Sequence, residues 1–223
     1  MAGPRLVDVR TPRSPTAAVV VLHGGARRRE RAVVSPTQLS VVRMIPVARA
    51  IGRAGGGRLA VVRLLNSYRG WDDERTPLDD ATWAVDQVRE RYGDVPVALV
   101  GHSLGGRAAI LAAGHDAVRT VVALNPWVYP SDGVALPGRR VLIVHGDADR
   151  VAPIARARAV AERLSGSADV RFEVVPDGKH AMLRHGRVFE RAASDFVVET
   201  LLDPRVDRPA GETSVDGAVG GDV

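Results

Sequence analysis

Apolar positions along this chain follow two alternating patterns. Short, nearly continuous apolar runs recur at Ala17 to Leu22, Leu59 to Leu65, Val97 to Val100, Thr120 to Leu124 and Val141 to Val144. Runs that lack a polar alternation are expected of strands buried on both faces, as in a parallel sheet covered by helices. Leu6 to Val9 and Val170 to Val175 mix in charged residues and read as further strands, the first a short edge strand. Between the runs lie helical signals. Ser35-Pro36-Thr37-Gln38 has the form of a capping box, predicting a helix from there to about Arg53 that bends near Pro46 and stops at Gly55-Gly56-Gly57. Thr76-Pro77 opens a second helix, with Ala81, Val85 and Val88 on one face, that closes near Tyr92-Gly93. Arg107 to Ala113, Ile154 to Leu164 and Arg187 to Leu202 read as three more. Strands alternating with helices predict an α/β architecture: a doubly wound, mostly parallel sheet flanked by helices. One domain is expected over residues 1–203, and 204–223, with Pro, Gly and acids but no aromatics, read as a disordered tail.

Composition narrows the function classes. Of 31 basic residues only Lys179 is a lysine, and the arginines are interleaved with 26 acids, for a net charge of +5. Nucleic-acid binding needs clustered cations, and the one dense run, Arg27 to Arg31, reads as a solvated charged face. No nucleic-acid partner is expected. The absence of cysteine excludes disulfides, thiolate catalysis and Cys-ligated zinc. No apolar run is long enough for a secretory signal or a membrane span, so the expectation is a cytoplasmic protein with no membrane partner. Oligomeric state is left open.

The candidate chemistry begins where the apolar run at Val97 meets Gly101-His102-Ser103-Leu104-Gly105-Gly106. At this glycine content a G-x-S-x-G match arises by chance in about one chain in ten, so context carries the signal. A strand precedes the motif and an Ala-rich helix follows it, the setting in which a sharp turn holds a serine up at a sheet edge. Ligands of open parallel sheets bind outside the carboxyl ends of the strands. Four such ends here carry Gly24-Gly25, Ser103, Asp147 or Asp149, and His180.

These elements resemble the α/β-hydrolase family over about residues 5–202: His23-Gly24-Gly25 is similar to its oxyanion loop, Gly101 to Gly106 to its nucleophile turn, His145 to Val151 to its acid loop and Gly178-Lys179-His180 to its histidine loop. The family order of serine, acid and histidine is kept. The resemblance implies Ser103 as nucleophile, His180 as general base and then acid, and an aspartate orienting the imidazole. It implies an oxyanion hole from the backbone N–H of Leu104 and of Gly25 or Ala26, with Gly25 favoured because a small residue leaves room for the acyl oxygen. Asp147 and Asp149 both follow the strand; the family's spacing selects Asp149, leaving Asp147 to cap its loop.

Among the other histidines, His102 reads as a neighbour packed beneath the turn, His23 and His145 as hydrogen bonders at strand ends, His115 as a helix end, and His185 as the start of the last helix. No pair has zinc-like spacing backed by a third ligand, so neither metal nor cofactor is expected. The stretch Asn125 to Gly138 is too short for a cap domain, and an open site is expected. Trp127 and Tyr129 there, with Trp71 and Met44, are candidates for a substrate pocket. The expected function is a small lidless serine hydrolase that cleaves carboxylic esters through an acyl-enzyme. Thioester or lactone cleavage, acyl transfer, and a non-catalytic binding role on the same fold are the alternatives.

Overall fold

The computed structural model describes residues 3–27, 32–72 and 74–203. The expected tail at 204–223 and most of the Arg27 to Arg31 run lie outside them. Seven strands form the main sheet: β1 (Arg5–Arg10), β2 (Ala17–Leu22), β4 (Leu59–Leu65), β6 (Val97–His102), β7 (Val118–Leu124), β8 (Arg140–Gly146) and β9 (Asp169–Val175). Two short strands, β3 (Ala26–Arg27) and β5 (Gly70–Trp71), pair separately as a small parallel ribbon. The main sheet runs in the order β1-β4-β2-β6-β7-β8-β9, with β1 antiparallel and the others parallel. Leaving β2, the chain first builds to one side at β4 and then crosses to the other at β6. The order therefore reverses between β2 and β6, which opens a crevice at their carboxyl ends.

Among the described residues six helices cover the sheet: α1 (Leu39–Val42), α2 (Met44–Ala54), α3 (Thr76–Tyr92), α4 (Leu104–Ala112), α5 (Ile154–Ser165) and α6 (Gly186–Leu202). Because successive strand residues point to opposite faces, each apolar run feeds two cores. Val20, Leu22, Val62, Leu99 and Ile143 pack with Ala84, Val85, Ile110 and Val160 of α3, α4 and α5. Val19, Val21, Val61, Val100 and Leu142 pack with Met44, Ile51, Phe189 and Val197 of α2 and α6. The continuous runs read as doubly buried strands are doubly buried here.

The helix expected from Ser35 takes a different form. Ser35 and Thr37 sit in a turn whose hydroxyls bond one another, and the first helical residue is Leu39. The helix then breaks at Arg43 and restarts at Met44, so Pro46 falls in the first turn of α2, where its missing N–H costs nothing. Proline thus sets a break rather than a bend. Between β7 and β8, residues 125–139 contain one 3-10 turn, Pro130–Asp132, and no cap domain. Among the described residues no helix is long and apolar enough to cross a membrane.

Candidate active site

The turn that carries Ser103 is built by close packing. A Cβ on Gly101 would collide with the Gly105 carbonyl, and one on Gly105 would run into the backbone of Leu22 and His23, so α4 can leave β6 sharply against the end of β2 only with glycine at both places. Between them Ser103 is forced to φ 56° and ψ −120°, outside the regions a serine ordinarily occupies. Its backbone is pinned there: its N–H donates to Leu124 O at 3.0 Å, and its carbonyl accepts from the N–H groups of Trp127 and Arg107 at 3.1 and 3.2 Å. The strain holds the hydroxyl up at the crevice between β2 and β6.

Two loops bring partners to it. His180 follows β9 by a turn in which Asp177 takes a φ of 54°, and its Nε2 lies 2.9 Å from Ser103 Oγ. Its Nδ1 lies 2.7 Å from Asp149 Oδ2. With a carboxylate as acceptor, Nδ1 carries the proton and Nε2 is left to accept from the serine hydroxyl. Asp149 uses its other oxygen on its own loop: Oδ1 accepts from the N–H groups of Val151 and Ala152 at 2.8 and 2.9 Å. Burial pushes the Asp149 carboxyl up, but the hydrogen bonds from His180, Ala152 and Val151 outweigh it and hold the acid below its ordinary range. Asp147 makes no such cap; its side chain is exposed, and its N–H bonds Val175 O. The loop is capped by the same aspartate that reaches the histidine.

Three of the surrounding histidines, His102, His145 and His23, are buried supports. His102 is 1% exposed, and its Nε2–H donates to the carbonyl of His180 at 2.8 Å. Burial, reinforced by the neighbouring His180, lowers its pKa to about 3. His145 donates from Nε2 to Ala152 O at 3.0 Å, and burial lowers its pKa too. His23 sits between the carbonyl of Gly24, 2.6 Å from Nδ1, and the N–H of Asn66, which donates to Nε2. His115 bonds Asp86, and His185 stands just before α6.

Asn125, which nothing in the sequence singled out, ties the two loops together. It is fully buried at a φ of 42°, accepts from Gly146 N at 2.8 Å, and donates through Nδ2 to the carbonyls of Lys179 and His180 at 3.1 and 3.3 Å.

A cavity of about 330 Å³ opens over the serine. Gly24, Gly25, Leu104, Trp127, Val151, Ser40 and Arg43 share its lining with Ser103, His102 and His180. A Cβ on Gly25 would collide with the Arg69 carbonyl, and one on Gly24 would sit 3.1 Å from Ser103 Cβ, so the glycine loop lies flush against the turn. As the first residue of α4, Leu104 has no acceptor for its N–H within the helix. Of the four pocket candidates, Trp127 lines the cavity and the other three lie elsewhere. Tyr129 stands edge-on behind Trp127, ring centroids 5.1 Å apart. Trp71 holds the Arg107 guanidinium over its ring at 4.2 Å, and that arginine also pairs with buried Asp132 at 2.8 Å. Met44 faces inward from α2 and is 1% exposed, a core residue placed there by the helix restart at Arg43.

Residues 13–141 match the family described as "Serine aminopeptidase, S33". The chain belongs to the α/β-hydrolase family. Solved structures of similar fold include Est1E from Butyrivibrio proteoclasticus, with 17% identity and a TM-score of 0.65 over 90% of this chain and 94% of that one. Est1E is also known with ferulic acid bound. A serine hydrolase without a lid from Xanthomonas campestris matches with 20% identity and a TM-score of 0.68 over 90% of this chain and 89% of that one. A serine hydrolase homologue from Coxiella burnetii matches with 18% identity and a TM-score of 0.68 over 87% and 91%. No curated protein matches this α/β hydrolase in sequence.

Proposed function

We propose that this α/β hydrolase cleaves small carboxylic esters through an acyl-enzyme, with Ser103, His180 and Asp149 as the triad. The observation that carries the reading is the unbroken hydrogen-bonded chain from Asp149 through His180 to Ser103, at 2.7 and 2.9 Å, ending on a strained serine at the floor of a cavity. Ser103 Oγ attacks the ester carbonyl carbon as its proton passes to His180 Nε2, and Asp149 stabilises the resulting imidazolium. The carbonyl oxygen, now an oxyanion, accepts from the N–H groups of Leu104 and Gly25. Collapse expels the alkoxide, which takes the proton from His180 and leaves as alcohol. Water then attacks the acyl-Ser103 ester with His180 again as base, releasing the carboxylic acid and restoring the serine.

Two things favour esters over the peptides suggested by the family description. The similar folds include the esterase domain of a Rhodothermus marinus protein and Est1E, known with ferulic acid, a small aromatic acid, bound. An aminopeptidase must also hold the ammonium of its substrate's first residue, and among the described residues lining this cavity the permanent charge is the cation of Arg43, which repels it.

The test is labelling with a fluorophosphonate probe and turnover of p-nitrophenyl acetate and butyrate. The expected result is one adduct per chain on Ser103, with label and turnover falling about 10⁵-fold or more in Ser103→Ala and His180→Ala. A folded wild type that takes no label would overturn the reading.

A further inference from the structure

Arg43 lies at the break between α1 and α2 and lines the cavity over Ser103. Most arginines near the site are engaged: Arg107 pairs with Asp132, and Arg69 donates to Val33 O. Arg43 is different. Its Nε is sealed from solvent with no hydrogen-bond partner among the described residues, and burial, with no carboxylate of the described residues beside it, lowers its pKa. A half-buried guanidinium without an anion forfeits solvation and gains nothing in return, so its place in the wall calls for a ligand that supplies the charge. One turn before it, Ser40 also lines the cavity. Ser40 Oγ accepts from Gln38 Nε2 at 2.5 Å, which leaves its hydroxyl hydrogen free to donate. A planar cation and a hydroxyl donor on one wall match a carboxylate. The charge also reaches the site interior, where it helps keep buried His102 neutral.

We propose that Arg43 and Ser40 form an anion subsite, and that the substrate is an ester carrying a carboxylate on the part of the molecule away from the scissile bond. This rests on the esterase reading above. The cavity of about 330 Å³ limits the class to small monoanionic esters: half-esters of short dicarboxylic acids, or esters of a hydroxy acid. Arg43 acts on the reaction by holding the remote end of the ester while Ser103 attacks, so its contribution is to discrimination between substrates.

Two ester pairs test this, one for each place the carboxylate can sit. The first is p-nitrophenyl hydrogen adipate against p-nitrophenyl hexanoate, and the second is 4-carboxyphenyl butyrate against phenyl butyrate. The readout is the ratio of kcat/KM for the anionic over the neutral member, in which any loss of folded protein cancels. In at least one pair the wild type should favour the anion, with the ratio falling about 10- to 100-fold in Arg43→Gln and recovering in part in Arg43→Lys. A structural role for Arg43 would lower both members together and leave the ratio in place. If the neutral esters turn over and neither ratio moves in Arg43→Gln, the subsite is refuted while the esterase reading stands. If the folded wild type turns over none of the four and takes no fluorophosphonate label, both fall together.

Discussion

His102 makes the stability of this protein depend on pH in a way that can be worked out from its surroundings. It is 1% exposed, donates to the His180 carbonyl, and keeps a buried Nδ1 without a partner, so a proton there would have no hydrogen-bond acceptor, and the attraction of Asp149 offsets only a minor part of the cost of burying the charge. Its pKa drops from 6.5 to about 3 on folding. Above the unfolded value both states are neutral and the full stability is present. As pH falls below it, the unfolded chain binds a proton that the folded chain refuses, and each pH unit removes about 1.4 kcal/mol until the folded value is reached. Between about pH 6.5 and about pH 4.5 this one residue should therefore cost about 2 kcal/mol. His23 and His145, whose pKa values burial also lowers, add losses of the same sign, so the wild-type slope alone does not isolate His102. The substitution His102→Gln does, because glutamine can donate from nearly the same position and does not titrate. Urea unfolding of both proteins, followed by tryptophan fluorescence, gives the difference at each pH. At neutral pH the variant should be less stable by about 1–3 kcal/mol, and that deficit should shrink by about 2–3 kcal/mol at about pH 4.5. A deficit that stays constant with pH would show that His102 titrates equally in both states and refute the argument.

Other substitutions probe the supports. Asp149→Asn should keep the loop bonds to Val151 and Ala152 through the amide oxygen but turn an N–H toward His180 Nδ1, forcing the wrong tautomer; kcat on p-nitrophenyl butyrate should fall about 10⁴-fold with little change in Tm. Asn125→Ala strands the Gly146 N–H and removes a donor from the Lys179 and His180 carbonyls, so urea unfolding should show a loss of about 2–4 kcal/mol, and kcat should drop further than the folded fraction accounts for. Arg107→Ala removes the cation packed on Trp71 and Tyr129 and leaves Asp132, whose side chain is 6% exposed, without its counter-charge, only the Tyr129 N–H still donating to it; a loss of about 3 kcal/mol in thermal unfolding is expected, and none would mean water already reaches that pair.

Much of the scaffold was legible because its strands are buried on both faces. Val19, Val20 and Val21 must each be apolar whichever way they point, and that condition writes itself into the sequence as an uninterrupted run. The turn around Ser103 was legible for a related reason: Gly101 and Gly105 meet backbone where any side chain would stand, so the constraint shows as residue identity. Features set by direction rather than burial were not legible. Met44 is apolar in the sequence whether it faces a substrate or a core, and the helix restart at Arg43 turned it into the core.

The sequence by itself determined the order of strands and helices and the place of the glycine turn that holds Ser103, because those depend on local sterics and on which side chains tolerate burial. Tertiary structure decided which aspartate faces His180, since Asp147 and Asp149 differ by two positions in one loop and the bonds from Val151 and Ala152 aim the second inward. It also decided that Asn125, from the end of β7, would pin the loops that carry Asp149 and His180, and that Arg43, remote in sequence from every motif, would line the cavity with no counter-charge among the described residues. Hydrogen-bond direction and unpaired charge are properties of atoms brought together from distant parts of the chain, and they come into being only when the sheet assembles its carboxyl edge.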